Sequence, residues 1–252
     1  MLRGMYTSVS AMINLQSSQT VISNNIANAN TTGFKSETLI SKTFDDVLIK
    51  NNDKYVNGKG TTQELGTLNL GVKIDEVTTN YEQGVIVETE NETDFALNGK
   101  GFFTVRDEQG NVFYTRDGGF NINGDGYLVT SSGAQVLNSN NQPMYVGGSS
   151  ISVDSNNNVV LSSGEVHKFN IVDFDDYSSL NKVGQNLYSG ESAIATNNYR
   201  VQNMQKESSN VDIIESTAAL MSNLRAFEAN QKVVQAMDST LSKIANEIGT
   251  VR

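Results

Sequence analysis

Apolar residues recur at two different periods along this chain: every three or four positions near each end, and in short alternating bursts between them. From Leu2 to about Asn30, Leu2, Met5, Val9 and Met12 step by three and four, and Leu15, Ile22, Ile26 and Ala29 continue an apolar face with a shift in phase. That spacing predicts an amphipathic helix. Its other face is Ser, Gln, Asn and Thr with almost no charge. A water-facing helix usually carries charged i,i+4 pairs, so this face is expected to meet protein as well. The run Asn24 to Phe34 ends the helix: asparagine side chains compete for backbone hydrogen bonds, and Gly33 suits a left-handed cap.

The last segment, Val211 to Val251, is the clearest helix. Leu220, Leu224, Phe227, Gln231, Val234, Asp238, Leu241, Ala245 and Ile248 step 4-3-4-3, a near-heptad seam suited to knobs-into-holes packing on a partner helix. Met237 and Ile244 lie beside its weakest positions, and Ser208 or Ser209 is placed to cap its start. Burial of the stripe is what would stabilise such a helix.

Between the ends the period changes. Residues 35–67 read as a connector segment, with a polar, Gly-rich loop over 51–66. Three hairpins follow. Phe102–Val105 and Val112–Thr115 flank Asp107-Glu108-Gln109-Gly110; Phe120–Ile122 and Tyr127–Val129 flank Asn123-Gly124-Asp125-Gly126; Ile151–Val153 and Val159–Leu161 flank Asp154–Asn158. His167 to Phe174 is expected as a further strand. The fold class is therefore α+β: paired, coiled-coil-like N- and C-terminal helices with a central antiparallel all-β domain. The expected domains are a terminal helical assembly domain over 1–34 and 208–252, the connector over 35–67, and the β domain over 68–207.

Composition narrows the function. A net charge of −10 repels phosphate backbones and anionic lipid, so neither nucleic acid nor membrane insertion is expected. No stretch approaches the roughly 20 apolar residues of a membrane span, and Thr7, Ser8, Ser10 and Asn14 interrupt any apolar core of a cleavable signal. Cysteine is absent, which removes disulfides and thiol nucleophiles but leaves the compartment open. One proline, Pro143, suits long helices and paired strands.

Candidate chemistry is sparse. With one histidine, His167, and no cysteine, a zinc site is not expected. Gly58-Lys59-Gly60-Thr61 and Asn98-Gly99-Lys100-Gly101 do not complete a phosphate-loop pattern. Asn121–Gly126 resembles the start of a calcium loop, but Ser132 stands where the closing Glu belongs, and Asn-Gly and Asp-Gly are preferred turn residues. Asp173, Asp175 and Asp176 read as a solvated acidic loop. No Gly-x-Ser-x-Gly elbow or paired-carboxylate pattern is present. The chain reads as a non-enzyme with no cofactor. The alternatives are a secreted β-rich adhesin or calcium-binding surface protein and, third, a wall hydrolase on a rod-like body.

Four blocks of the sequence carry a resemblance. Met1-Leu2-Arg3-Gly4-Met5-Tyr6-Thr7-Ser8-Val9-Ser10-Ala11-Met12 and Asn24-Asn25-Ile26-Ala27-Asn28-Ala29-Asn30-Thr31-Thr32-Gly33-Phe34-Lys35 stand at the start. Leu97–Phe103, Tyr114–Phe120 and Gly126–Gly133 stand in the centre, and Ser209-Asn210-Val211-Asp212 with Arg225-Ala226-Phe227-Glu228-Ala229-Asn230 at the end. Together these resemble the flagellar basal-body rod and hook axial protein family over nearly the whole chain. Thr32 departs from the family's usual proline, which should loosen the helix exit slightly. The short length and single β region resemble the distal or proximal rod subunit more than the larger hook protein, and the C-terminal block resembles the distal type, with a proximal rod or hook-type subunit as the alternative. The resemblance implies a structural subunit that self-assembles into a helical tube and contacts neighbouring rod and hook axial proteins. It implies export unfolded through the flagellar type III apparatus, and a place in the basal body outside the cytoplasmic membrane, in the periplasm or cell wall zone. It implies terminal helices in the inner wall and the β domain outside. The expected assembly residues are Leu2, Met5, Val9, Met12, Ile22, Ile26, Leu220, Leu224, Phe227, Val234, Leu241 and Ile248. The family signature falls on Asn28, Asn30, Gly33, Phe34, Arg225, Glu228 and Asn230.

Overall fold

The computed structural model describes residues 2–56, 59–184, 186–196 and 198–249. Two helices bracket the chain, α1 (Leu2–Ala27) and α2 (Ile213–Gly249). Four strands follow α1: β1 (Glu37–Thr43), β2 (Val47–Val56), β3 (Lys59–Leu68) and β4 (Val72–Thr79). The centre holds β5 (Ile86–Glu88), β6 (Phe95–Gly99), β7 (Phe102–Arg106), β8 (Val112–Thr115), β9 (Asn121–Ile122), β10 (Leu128–Val129), β11 (Gln135–Val136), β12 (Ile151–Val153) and β13 (Asn158–Leu161). It continues with β14 (Val166–Lys168), β15 (Ile171–Asp173), β16 (Asn181–Val183), β17 (Leu187–Ser189), β18 (Ile194–Ala195), β19 (Tyr199–Asn203) and β20 (Gln205–Glu207). Every named strand pairing is antiparallel or part of a two-stranded ribbon, as the hairpin turns dictate.

The chain divides into two compact units. One contains residues 1–24, 37–78 and 214–252; the other contains 25–36 and 79–213. In the first, the terminal helices contact each other, and a methyl group added to Gly4 would come within 2.9 Å of Met237 Cε. The strands of this unit form two separate ribbons, β1 with β4 and β2 with β3.

The stretch expected as connector and loop is thus largely strand. The reason lies in its burial. In β2 and β3 almost every described side chain is exposed, so no face is selected for apolar residues and no alternation marks the strands. Backbone pairing alone defines them, with register shifts at Ile49/Lys50 and Asn51/Lys54. Gly58 and the side chains of 52–61 fall outside the described residues.

The second unit is built around β7. Its first four residues are all buried, and their alternation feeds two cores. Phe103 and Val105 enter a cluster with Phe95, Leu128, Val159 and Phe169; Phe102 enters another with Phe174, Leu180 and Tyr188. Phe103 meets Phe169 edge-on, centroids 5.2 Å apart, a favoured aromatic geometry. The three predicted hairpins form: β7 with β8, β9 with β10, and β12 with β13. The single strand expected over 167–174 is instead two. β14 pairs with β13 in a three-stranded sheet, and β15 pairs with β7 in the large sheet. Phe169, buried between them, turns into the core and breaks the run.

Candidate assembly surface

Two features stand out: uncovered apolar faces on the terminal helices, and a buried ionic joint where distant segments meet.

Along α2 the protected positions among the described residues are Ser216, Leu220, Asn223, Ala226, Phe227, Asn230, Val234, Met237 and Leu241; Ala226 beside Phe227 apart, they are spaced 4-3-4-3-4-3-4. A strict seven-residue repeat keeps one seam facing a partner helix. Leu220, Phe227, Val234 and Leu241 of the expected seam lie on it. Between them the chain uses the residue before each expected one, so Met237 takes the place of Asp238. Asn230 is tolerated because its Nδ2 donates to the Ala226 carbonyl at 2.9 Å. Leu224 stands off the stripe, exposed with Met221, and Arg225 and Glu228 share that outer face. The side chains of Leu2 and Ile248 fall outside the described residues. The helix begins at Ile213, so neither Ser208 nor Ser209 caps it; Ser209 Oγ accepts from the Val211 N–H one turn earlier.

On α1, Met5, Met12, Ile22 and Ile26 are half-buried and Val9 is exposed. The exposed stripe begins Arg3, Tyr6, Val9, Ile13 and continues through Gln16 and Thr20. Its first half is apolar and its second polar. Tyr6 and Ile13 escaped the sequence reading because they belong to a second, narrower 3-4 step beside the stronger one. Phe44 and Leu70 join this face, closing a groove of about 530 Å³ lined by Tyr6, Val9, Ser10, Ile13, Phe44, Asp45 and Leu70. The groove is held open by backbone contacts. Gly71, at φ +127°, lies so close to α1 that an added Cβ would fall 2.2 Å from Ser10 Oγ. Ser10 Oγ in turn accepts from the Val72 N–H at 3.4 Å, and Gly71 O accepts from the Phe44 N–H at 3.0 Å.

The joint lies within the second unit. Lys35 Nζ donates to Glu207 Oε1 at 2.6 Å and to the Glu82 carbonyl at 2.6 Å. Arg116 Nη1 lies 3.5 Å from Glu207 Oε2, Arg116 Nη2 donates to the Gly99 carbonyl, and its guanidinium covers the Phe102 ring. The Gly84 N–H also donates to Glu207 Oε1. Lys35 is fully buried, and that burial holds its ammonium below the usual 10.5, with Glu207 opposing the shift and Arg116 adding to it.

The signature residues frame this joint. Gly33 has φ +66°, its N–H donates to the Glu207 carbonyl at 2.8 Å, and an added Cβ would lie 2.4 Å from Asp117 N. Only glycine fits both demands. Phe34 is buried beneath the Lys182 ammonium, Asn28 is buried and Asn30 is exposed. Asn210 accepts from the Ser36 N–H and donates to the Asn80 and Glu82 carbonyls. Thr32 Oγ1 donates to Asp117 Oδ1 at 2.6 Å. Burial raises the Asp117 carboxyl above its ordinary value, and the Thr32 bond works against that rise.

Among the described residues no cluster of His, Asp or Glu is arranged to hold a metal, and no helix is long and apolar enough to cross a membrane. Asn123 Oδ1 accepts from the Asp125 and Tyr127 N–H groups, so this side chain closes a turn. His167 sits on β14 opposite Val159, its Nε2 3.6 Å from Glu165 Oε2.

Known proteins resemble this chain in sequence. The chain is 32% identical, over all of both chains, to the flagellar hook-basal body complex protein FlhO of Bacillus subtilis. It belongs to the flagellar basal-body rod and hook family. The flagellar basal-body rod protein FlgG of Buchnera aphidicola is 31% identical, covering 91% of this chain and 94% of its own. The rod protein FlgF of Caulobacter vibrioides is 32% identical over 96% of each. Three family profiles match in order: flagella basal body rod protein over 5–35, flagellar hook protein FlgE/F/G D1 domain over 96–172, and flagellar basal body rod FlgEFG protein C-terminal over 201–247. The buried joint of this chain draws one residue from each matched stretch: Lys35, Arg116 and Glu207.

Proposed function

We propose that this chain is a structural subunit of the bacterial flagellar basal-body rod, of the distal type, which self-assembles through its terminal helices into a helical, torque-transmitting tube. The observation that carries this is a chain related end to end to rod and hook-basal body proteins that leaves apolar side chains uncovered on both terminal helices. Exposed apolar patches of this kind mark association surfaces. Two different faces that fit each other make heterologous contacts, which build an open helix when the rotation between neighbours does not close a ring. The work is mechanical, and no cofactor is called for.

We place assembly in the terminal segments, 1–34 and 208–252, together with the ribbons of the first unit. The expected residues Met5, Val9, Met12, Ile22, Ile26, Leu220, Leu224, Phe227, Val234 and Leu241 divide between holding α1 to α2 and meeting neighbours. The partners are further copies and adjoining rod and hook axial proteins, reached by way of the flagellar export apparatus. The location is the basal body outside the cytoplasmic membrane, in the periplasm or wall zone.

Electron microscopy of basal bodies carrying a labelled chain tests the reading. Label on the hook-proximal part of the rod is expected. Label elsewhere on the axis would assign a proximal or hook-type subunit, and label dispersed over the cell surface would overturn a rod role.

A further inference from the structure

Three Asn-Gly pairs occur in the chain, beginning at Asn57, Asn98 and Asn123. Such a pair can react with itself, because glycine carries no side chain to hold its nitrogen away from the preceding amide carbon. The fold treats the pairs differently. Asn57 and Gly58 fall outside the described residues. Asn98 and Gly99 lie on β6, in register with Arg200 and Tyr199 of β19, and the Gly99 N–H donates to Gln83 Oε1 at 3.1 Å. That nitrogen is engaged and its backbone is pinned: Gly99 has φ +113°, and an added Cβ would lie 2.7 Å from the Asn198 carbonyl oxygen.

Asn123 and Gly124 stand in the turn between β9 and β10, the stretch that resembles a calcium loop. The Asn123 N–H donates to the Tyr127 carbonyl and the Gly126 N–H to the Asn123 carbonyl, each at 3.0 Å. Asn123 Oδ1 accepts from the Asp125 N–H at 3.1 Å and the Tyr127 N–H at 2.8 Å. Both donors follow Gly124 in the chain, so the side-chain amide is folded back over the Gly124 nitrogen. Gly124 is exposed, its N–H meets no acceptor among the described residues, and nothing lies within 4 Å of the place a Cβ would take.

We propose that Asn123–Gly124 is a site of spontaneous, irreversible modification, at which the Gly124 nitrogen displaces the side-chain nitrogen of Asn123 as ammonia. The Gly124 nitrogen gives its proton to hydroxide and attacks Asn123 Cγ. The π electrons of the Cγ–Oδ1 bond move onto Oδ1, where the Asp125 and Tyr127 N–H groups already point. As the double bond re-forms, the Cγ–Nδ2 bond breaks, and Nδ2 takes a proton from water and leaves as ammonia, returning the hydroxide. A five-membered cyclic imide remains. Water opens it at Cγ, giving aspartate, or at the main-chain carbonyl of residue 123, giving isoaspartate. The balance is one water consumed, one ammonia released and one negative charge gained close to Asp125. Aspartate keeps both accepted bonds. Isoaspartate adds a methylene to the main chain between Ile122 and Leu128, which pair in the hairpin, and weakens that pairing. No step needs an enzyme, so the converted fraction records the age of the folded chain.

The purified full chain is incubated at mildly alkaline pH in water enriched in heavy oxygen, digested in acid and read by peptide mass spectrometry. The Asn123 peptide should gain one labelled oxygen, with product divided between aspartate and isoaspartate. Asn98 should convert roughly a hundredfold more slowly, the scale set by donors at a developing oxyanion. In denaturant the two should convert alike. Gly124→Ala tests the geometry. Position 124 has room for a methyl and is not among the positive-φ glycines, so this variant should melt like the parent while its methyl slows conversion at Asn123 alone. Conversion at Asn123 no faster than at Asn98 in the native chain overturns the inference. So does a preference for Asn123 that survives in denaturant, which would trace it to local sequence, or an unchanged rate in a folded Gly124→Ala chain.

Discussion

Single residues decide how the second unit is closed. Glu207 is a buried anion between two cations, so its loss leaves both uncompensated. Breaking such a cluster costs about 3–5 kcal/mol. For a chain of this size, that is a fall of roughly 6–20 °C in Tm. Glu207→Gln should therefore show this drop in thermal unfolding followed by circular dichroism. Lys35→Met should cost less, because Arg116 still faces Glu207 and one buried ammonium is gone. Equal losses from the two would contradict the charge argument. Tyr177 belongs to the other core. Burial, then its hydrogen bond to Asp173, pushes its hydroxyl up to about 12. Its native value exceeds the unfolded one, so the folded chain keeps a proton that the unfolded chain releases above pH 10. Stability should fall between pH 10 and about 12, and Tyr177→Phe should flatten that fall in a pH series of melting curves.

At the scale of elements, α2 has two faces with separable jobs. Phe227 lies on the stripe facing its own unit, and Leu224 on the outer face. Phe227→Asp should unseat α2 and lower helix content in the monomer, at a cost of about 1.5–3 kcal/mol. Leu224→Asp should leave the helical signal unchanged and still abolish assembly. Identical effects on helicity would mean the two faces are not distinct. The β2–β3 ribbon is two-stranded and buries none of its described side chains fully, and such two-stranded elements are marginal in water. Amide exchange over 47–68 in the free chain should run far faster than over β7, which is buried on both sides. Exchange from α1 and α2 should slow on assembly, since their outer faces are covered only then.

The whole molecule is two units threaded by one chain. The central unit is entered at residues 25–36 and left before residue 214, with its own cores and its own ionic closure. Removal of residues 214–252 should therefore abolish assembly and most helical signal while the central unit melts within a few degrees of its original temperature. Loss of its cooperative transition would show that the two units fold as one.

Much of this was legible from the pattern of residues. Helix positions were set by the three-four step at each end, and three hairpins by turn residues between apolar bursts, because both arise from contacts only a few residues apart. Folding alone decided the rest. The β2–β3 ribbon is invisible in a hydrophobic pattern because none of its described side chains is fully buried. The strand over 167–174 divided because Phe169 was needed in a core assembled from Phe95, Phe103 and Phe120, far away in sequence. Alternate positions of the α2 stripe shifted by a residue because a heptad can be read in two phases, and only the packing partner chooses between Met237 and Asp238. Lys35, Arg116 and Glu207 met only in three dimensions: an ion pair between residues 172 positions apart leaves no local trace, since its energy exists only once the intervening chain has folded.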